Sequence, residues 1–416
     1  MAIFRNVRTF ESLAQKDFRN LWLGHTSTSM GQWMDQVTRA WLIYDLTRSP
    51  LQLGLVSAAR GIPLLLFGII AGVVADRYGR KRQLVIAQSV NAVLNAILAA
   101  LVVTGRVEPW HVYVTGILAG TVQAFQQPAR QVLIGDLVGP KHLLNAISLN
   151  AAAGNVSRSI GPAVAGLVIG AFGVGVSYFA QAALFVMATV WTTQIRIPKS
   201  SQTPELAAML GQQPFLSSAR DGMSYIRSHR LILALLVLGL APAVLGMPFI
   251  SLMPIFAIDV FHGGSRTQGL LLTMIGIGAV LGALTMASLG NRQGRGKIMI
   301  WGAFGFGLSL VLFSQSPIIL MASVFALAAG FCNSAYTSQN QTILQMVTPY
   351  ELRGRVLGMY MLNRGLAPLG ALLAGLFADL FGGPWAVAIM GASCLLLAAG
   401  VGIFTPKLRN LNLSME

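Results

Sequence analysis

The stretch GVVADRYGRKR, residues 72–82, lies between two long apolar runs at 51–75 and 84–103. It holds one acid, Asp76, and four cations, among them Arg77 and Arg80. Clusters of Lys and Arg between membrane helices stay on the cytoplasmic side, because their translocation is disfavoured. Gly72 and Gly79 allow close approach and a tight turn. The stretch therefore predicts a short cytoplasmic loop between two membrane-spanning helices.

The composition indicates a polytopic membrane protein. Of 416 residues, 55% are hydrophobic and 10% are charged, and the mean hydropathy is +0.67. Soluble domains carry about 25% charged residues. The formal net charge of +16 would suggest nucleic acid in a soluble protein. Here it favours basic loops that face anionic lipid headgroups, so membrane lipids are expected partners and nucleic acid is not.

Twelve membrane spans are predicted when about 20 apolar residues are required for each helix. Lys and Arg are concentrated in the connections after even-numbered spans and at both ends of the chain. We therefore expect both termini in the cytoplasm and an all-α, multi-pass protein in a cell (inner) membrane. The predicted spans are 20–46, 52–75, 83–104, 110–137, 143–170, 172–195, 230–259, 268–290, 297–315, 317–345, 353–380 and 384–405.

An internal repeat divides the chain into two similar halves. Gly161, Gly166 and Gly173 have glycine counterparts at 370, 375 and 382, each 209 positions later. A Pro-, Gln- and Ser-containing connection separates the halves and predicts a linker. The expected order is a cytoplasmic segment 1–19, a six-helix bundle 20–195, a cytoplasmic linker 196–229, a second six-helix bundle 230–405 and a cytoplasmic tail 406–416.

The loop reads G-x-x-A-D-R-x-G-R-K, which resembles the loop between helices 2 and 3 of the major facilitator superfamily. Segments 31–56, 125–138 and 155–170 are similar to the bacterial drug–proton antiporter branch that includes the enterobactin exporter. The resemblance implies two pseudo-symmetric six-helix bundles that alternate access to a central substrate site.

The same resemblance implies a cytoplasmic latch. In it, Asp76 caps the inner end of helix 11 and Arg80 pairs with Asp136, and breaking these contacts releases the other conformation. The alternative is a loop that sets topology and has no gating role. The predicted gating residues are Gly72, Asp76, Arg77, Gly79, Arg80 and Asp136.

Span 5 carries small residues that resemble the antiporter motif, G-P-x-x-x-G. Small residues let helices approach closely, and the resemblance adds a seal against proton leak. The motif residues are Gly154, Gly161, Pro162 and Gly166.

Several charges interrupt the spans, among them Asp35 and Arg39 in span 1, Arg158 in span 5 and Arg364 in span 11. Each costs about 2.5–3.5 kcal/mol on insertion scales, so each needs a partner or an aqueous cavity. Asp35 and Arg39 are four residues apart and share one helix face. Two interpretations stay open: Asp35 is the proton site, or the two form a constant ion pair. The arginines either attract anions or bind backbone carbonyls.

Aromatic and amide side chains in the first half suit a broad amphipathic cavity, although such residues also pack in cores or against lipid. The candidates are Trp33, Gln123, Phe125, Gln126 and Arg130. His25 is expected to be a packing residue.

The sequence contains no nucleotide-binding motif, no paired metal carboxylates and no Ser/His/Asp arrangement. We therefore expect no enzyme activity, cofactor or metal, and a transport energy drawn from a gradient. The predicted function is proton-coupled export of amphipathic small molecules by a monomer. The alternatives are a siderophore or lysolipid exporter, whose anionic substrates would suit the arginines, and a non-transporting sensor on the same scaffold.

Overall fold

The computed structural model describes residues 8–77, 79–196, 229–289, 294–349, 356, 360 and 366–409. In the first half, a 3₁₀ turn, Arg8–Ala14, precedes helices α1 (Lys16–Thr47), α2 (Pro50–Arg77) and α3 (Arg80–Val103). A helical run, Pro109–Thr193, follows and is broken at Gly139 and Gly173 into α4 (109–138), α5 (140–172) and α6 (174–193).

The second half begins with α7, which is regular over Arg230–Ala241 and then continues to Val260 through π-helical and 3₁₀ turns. The other helices of this half are α8 (Ser265–Ser288), α9 (Arg295–Ser314), α10 (Ile319–Val347), α11 (Ala367–Phe381) and α12 (Gly383–Phe404). Each of the twelve predicted spans corresponds to one of the helices α1 to α12.

Eight helical segments among the described residues are apolar and long enough to cross a bilayer. Neither α1 nor the α4 part of the long run reaches this threshold, because both are rich in Ser, Thr, Gln and charged side chains. The described part of α11 is apolar but short. Hydropathy alone therefore detects α1, which holds Asp35 and Arg39, and α4, which holds Arg130, least well.

Tight turns at two repeat-related glycines explain part of the internal repeat. Gly173 joins α5 to α6 with φ of +87°, and Gly382 joins α11 to α12 with φ of +83°. Side chains with a Cβ rarely adopt such angles, whereas glycine does so readily. The same backbone requirement therefore recurs at the same place in each half.

A second structural repeat lies where helices cross. A Cβ on Gly120 of α4 would lie 2.0 Å from the carbonyl oxygen of Arg60 on α2. A Cβ on Gly330 of α10 would likewise lie 2.0 Å from the carbonyl oxygen of Ile275 on α8. Only glycine allows backbones to approach this closely. The two crossings place Arg60 and Ile275 in equivalent positions, so the cation belongs to the first half alone.

The irregular course of α7 has a chemical cause that the sequence analysis did not use. The carbonyl of Leu238 would normally accept from the amide four residues later, but Pro242 has no N–H. Tyr336 of α10 donates its hydroxyl to this carbonyl, and Asn340 donates to the carbonyl of Leu235 at 3.1 Å. Side chains thus satisfy backbone groups that lipid could not.

The chain forms two compact units, one of Met1–Thr47 with Ala59–Leu210 and one of Arg48–Ala58 with Gly211–Glu416. In the second unit, a Cβ on Gly54 would lie 2.6 Å from the carbonyl oxygen of Ala371. The predicted linker falls largely outside the described residues, so the bundle boundaries at 195 and 230 stay predictions.

Candidate functional site

A buried ion pair lies on one face of α1. Arg39 donates to both carboxylate oxygens of Asp35, from Nη2 to Oδ1 at 2.9 Å and from Nε to Oδ2 at 3.2 Å. Both side chains are buried. The spacing of four residues brings them together on the helix surface, as predicted.

Arg39 is held on its other side by α4. Its Nη1 donates to the carbonyl oxygen of Val112 and to Oγ1 of Thr115, each at 2.8 Å. The guanidinium therefore has acceptors on all three nitrogens, which is what a buried arginine requires. Arg39 acts as a fixed strut between α1 and α4.

A third charge completes the cluster, and the sequence analysis missed it. Arg60 of α2 donates from Nη1 to Oδ2 of Asp35 at 2.6 Å, and its Nη2 lies 3.4 Å from Oε1 of Gln123. Its side chain is 19% exposed, against 4% for Asp35. The cost of a charge in a span was a sufficient signal to find it, because Arg60 lies within predicted span 2. Two arginines share one carboxylate, so the cluster has a net charge of +1.

A polar stripe continues along the contact between α1 and α4. Gln32 lies on α1 about one turn before Asp35, and it donates to Oε1 of Gln126 at 3.1 Å. The buried Arg130 follows on α4, close enough to the buried His25 for electrostatic interaction. Gln123, Gln126 and Arg130, predicted as cavity residues, thus lie on one face of one helix.

The other predicted cavity residues have separate surroundings. Phe125 is half-buried and pairs with the ring of Phe67, with centroids 6.2 Å apart. Trp33 is half-buried, and the Arg158 guanidinium carbon lies 5.8 Å from its ring centroid. At this distance the guanidinium makes a cation–π contact with the indole ring. Arg364 lies outside the described residues.

The predicted antiporter motif on α5 packs against α1. A Cβ on Gly161 would lie 2.7 Å from Cβ of Trp33, so glycine is required there. Gly154 faces Nε2 of His25 at an ordinary contact distance, 3.7 Å from an ideal Cβ. Pro162 and Gly166 are buried. The close approach that the small residues predicted therefore occurs at Gly161.

The loop near 72–82 contains one described ion pair, between Nη1 of Arg80 and Oδ2 of Asp136 at 2.5 Å. This is the pair that the resemblance implied. Gly72, Asp76 and Arg77 belong to the end of α2, and their side chains lie outside those described.

Gly79 precedes α3 with φ of −53°, a backbone conformation that most residues adopt. Among the described residues, a Cβ at this position would meet nothing within 4 Å. The predicted role of Gly79 in the loop therefore stays a prediction that its backbone angles do not support.

Comparison with known proteins places the chain in a family. The model of the transmembrane secretion effector family, a group within the major facilitator superfamily, matches residues 7–415. The chain belongs to this family. The predicted recognition and the all-α fold with twelve transmembrane helices are confirmed.

Several transporters resemble this family member over most of their length. The staphyloferrin A transporter of Staphylococcus aureus is 28% identical over 388 residues, covering 93% of this chain and 95% of the relative. The multidrug efflux pump Tap of Mycolicibacterium fortuitum is 27% identical over 384 residues, covering 90% and 92%. The enterobactin exporter EntS of Citrobacter koseri is 27% identical over 349 residues, covering 81% and 79%.

Solved structures support the fold. The nucleoside transporter NupG superposes with a TM-score of 0.74 at 15% identity, covering 93% of this chain and 99% of that one. A bacterial homologue of the human lysosomal transporter Spinster gives 0.73 at 16% identity, with coverage of 96% and 98%. The protein is a multi-pass membrane transporter, as predicted.

Proposed function

We propose that this transporter exports an amphipathic small molecule in exchange for protons, with Asp35 as the group that takes up the proton. The observation that carries the proposal is the position of this carboxylate. Asp35 is the one buried acid among the residues whose side chains are described. An acid inside a membrane protein is a functional-site candidate because its burial is unfavourable unless it has a role or a partner.

The geometry suggests what protonation would change. Ionised Asp35 holds Arg39 by two hydrogen bonds and Arg60 by one. A proton on the carboxyl removes the charge that attracts both cations. Arg39 keeps its acceptors on α4, whereas Arg60 is left with the long contact to Gln123. Arg60 is therefore the element that protonation releases.

Release of Arg60 would couple the proton to the conformational change. A switch needs an element with two arrangements whose balance the ligand shifts. Arg60 lies on α2, the helix that leads into the 72–82 loop, and its carbonyl packs on Gly120 of α4. We infer that moving its side chain tilts α2 and with it the latch of Asp76, Arg80 and Asp136.

Two further features belong to the proposal. Both termini and the basic loops lie on the cytoplasmic side of a cell membrane, supported by the distribution of Lys and Arg. The working unit is a monomer with two six-helix bundles, supported by the repeat within the chain.

Flux through reconstituted protein tests the proposal. Purified transporter in vesicles with an imposed pH gradient is given a panel of dyes, antibiotics and siderophores. We expect gradient-driven flux in wild type and none in Asp35→Asn. The control is Asp45→Asn, which changes an exposed acid on the same helix and should keep full flux. Wild-type flux in Asp35→Asn would exclude Asp35 as the proton site, and an absence of counterflow for every compound would favour a sensor.

A substrate-specific siderophore exporter is the second candidate. Two relatives carry siderophores in their names, staphyloferrin A and enterobactin, and the stripe on α1 and α4 carries more cations than acids. Siderophore accumulation inside producing cells, compared with sensitivity to cationic drugs, separates the two functions.

A further inference from the structure

The buried arginine at position 130 has an unusual set of partners. Arg130 is 7% exposed, yet its hydrogen bond within the described ranges is to Oε1 of Gln127, three residues earlier on its own helix, at 2.5 Å. Its Nε–H is buried without an acceptor. Guanidinium groups buried in proteins normally have acceptors on every nitrogen. Arg130 therefore has donor capacity that the described part of the chain does not use.

The neighbouring amide has the same deficiency. Gln126, one turn earlier on α4, is 1% exposed and uses its oxygen to accept from Gln32. Its Nε2 is buried without an acceptor. Two buried side chains on one helix face thus present unused N–H groups. An unmade hydrogen bond at a buried donor is unfavourable, so a missing acceptor is indicated here.

Within the described ranges, no carboxylate pairs with Arg130. Asp35 is already shared by Arg39 and Arg60, and Asp136 pairs with Arg80. The nearby His25 offers no negative charge, and its Nδ1 also lacks a hydrogen-bond partner. A buried cation without a counter-charge is strongly unfavourable. An anion that binds beside Arg130 would therefore lower the free energy of this site.

We propose that Arg130 and Gln126 bind a carboxylate or similar oxyanion group of the transported molecule. Arginine suits this role because its planar fork matches the two oxygens of a carboxylate. The unused amide of Gln126 supplies a further donor one turn away. The inference rests on the proposed transport function for its physiological meaning, and it narrows the substrate class to amphipathic molecules that carry an anionic group.

The site is separate from the proton site. Asp35 and its arginines lie beyond the Gln32–Gln126 hydrogen bond, on the opposite side from Arg130. One helix face would therefore hold the proton at one level and the anionic group at another. Protonation of Asp35, or binding of an anionic group at Arg130, would each change the net charge of the polar residues between α1 and α4.

Binding is tested on the purified full-length transporter in detergent, without transport. The probes are benzoate, its neutral isostere benzamide, and chloride at matched ionic strength. A ligand that binds only the folded state stabilises it by RT ln(1 + [L]/Kd), so the dependence of the unfolding temperature on ligand concentration gives the Kd. Unfolding is followed by tryptophan fluorescence.

We expect benzoate to stabilise wild type and benzamide to have no effect. In Arg130→Gln, the Kd for benzoate should rise by about tenfold or more, the loss typical of a charged hydrogen bond. Arg106→Gln, which removes an exposed cation, is the control and should bind as wild type does. A benzoate response that is unchanged in Arg130→Gln overturns the proposal. Equal stabilisation by chloride overturns the assignment to an organic anion.

A second variant keeps the test decisive if Arg130→Gln does not fold. Gln126→Glu places a carboxylate next to Arg130 and should supply the missing anion from within. We expect this variant to unfold at a higher temperature than wild type without ligand, and to lose the response to benzoate. Retention of the full response would overturn the site. Gradient-driven flux that depends on Asp35, with no binding that depends on Arg130, would refute this inference and leave the proposed function standing.

Discussion

Replacing Arg39 by methionine should destabilise the first unit much more than replacing Arg60, although both cations contact Asp35. Arg39 makes four hydrogen bonds, two to the carboxylate and two to α4, and is almost fully buried. Arg60 makes one short bond to the carboxylate and one contact at 3.4 Å. Methionine fills similar volume without donors, so the difference between the variants reports the polar contacts.

The expected sizes follow from these contacts. Arg39→Met removes two charged hydrogen bonds to the carboxylate, at about 1.5–3 kcal/mol each, while Asp35 stays paired with Arg60, so we expect a loss of about 3–6 kcal/mol. In Arg60→Met the carboxylate stays paired with Arg39, and one charged hydrogen bond of about 1.5–3 kcal/mol is lost. Partial exposure of Arg60 reduces that value to about 1 kcal/mol or slightly more, because solvent screens the pair.

The assay compares denaturation of both variants with wild type in the same detergent, together with gradient-driven flux at equal amounts of folded protein. Arg60→Met should remain folded but lose coupling, because it removes the cation that protonation of Asp35 is proposed to release. Arg39→Lys is the control for charge, and it should recover only part of the loss since an ammonium cannot bridge both carboxylate oxygens. Equal destabilisation of the two variants, or a larger effect at Arg60, would refute the division into a fixed strut and a releasable cation.

Three further outcomes are expected. Gly120→Ala should reduce the unfolding temperature, because its Cβ would lie 2.0 Å from the Arg60 carbonyl, whereas Gly116→Ala makes an ordinary 3.6 Å contact and should not. Gln181→Ala should destabilise by about 1–3 kcal/mol, measured by denaturant titration, since the amide donates to buried hydroxyls of α1 and α6. Asp76→Asn should abolish flux at normal membrane insertion, and wild-type flux would leave the loop with a role in topology alone.

The buried cluster shows where prediction from the sequence ends. The pairing of Asp35 with Arg39 follows from a spacing of four residues on one helix, which is local geometry. The third member, Arg60, is on another helix, and only the crossing of α2 with α4 at Gly120 brings it within 2.6 Å of the carboxylate. The signal that a charge lies in a span was present, but its partner was not visible in the sequence.

The sequence by itself determined the membrane location, the twelve helices and the internal repeat, because these depend on hydropathy, loop charge and residue spacing along the chain. It also identified Gly173 and Gly382 as repeat-related glycines, and the structure shows that both form turns with positive φ. Tertiary structure decided which intramembrane charges meet, that Arg130 and Gln126 keep unused donors, and that Tyr336 replaces the amide missing at Pro242. Such contacts join residues far apart in the chain, so their distances arise only when the helices pack.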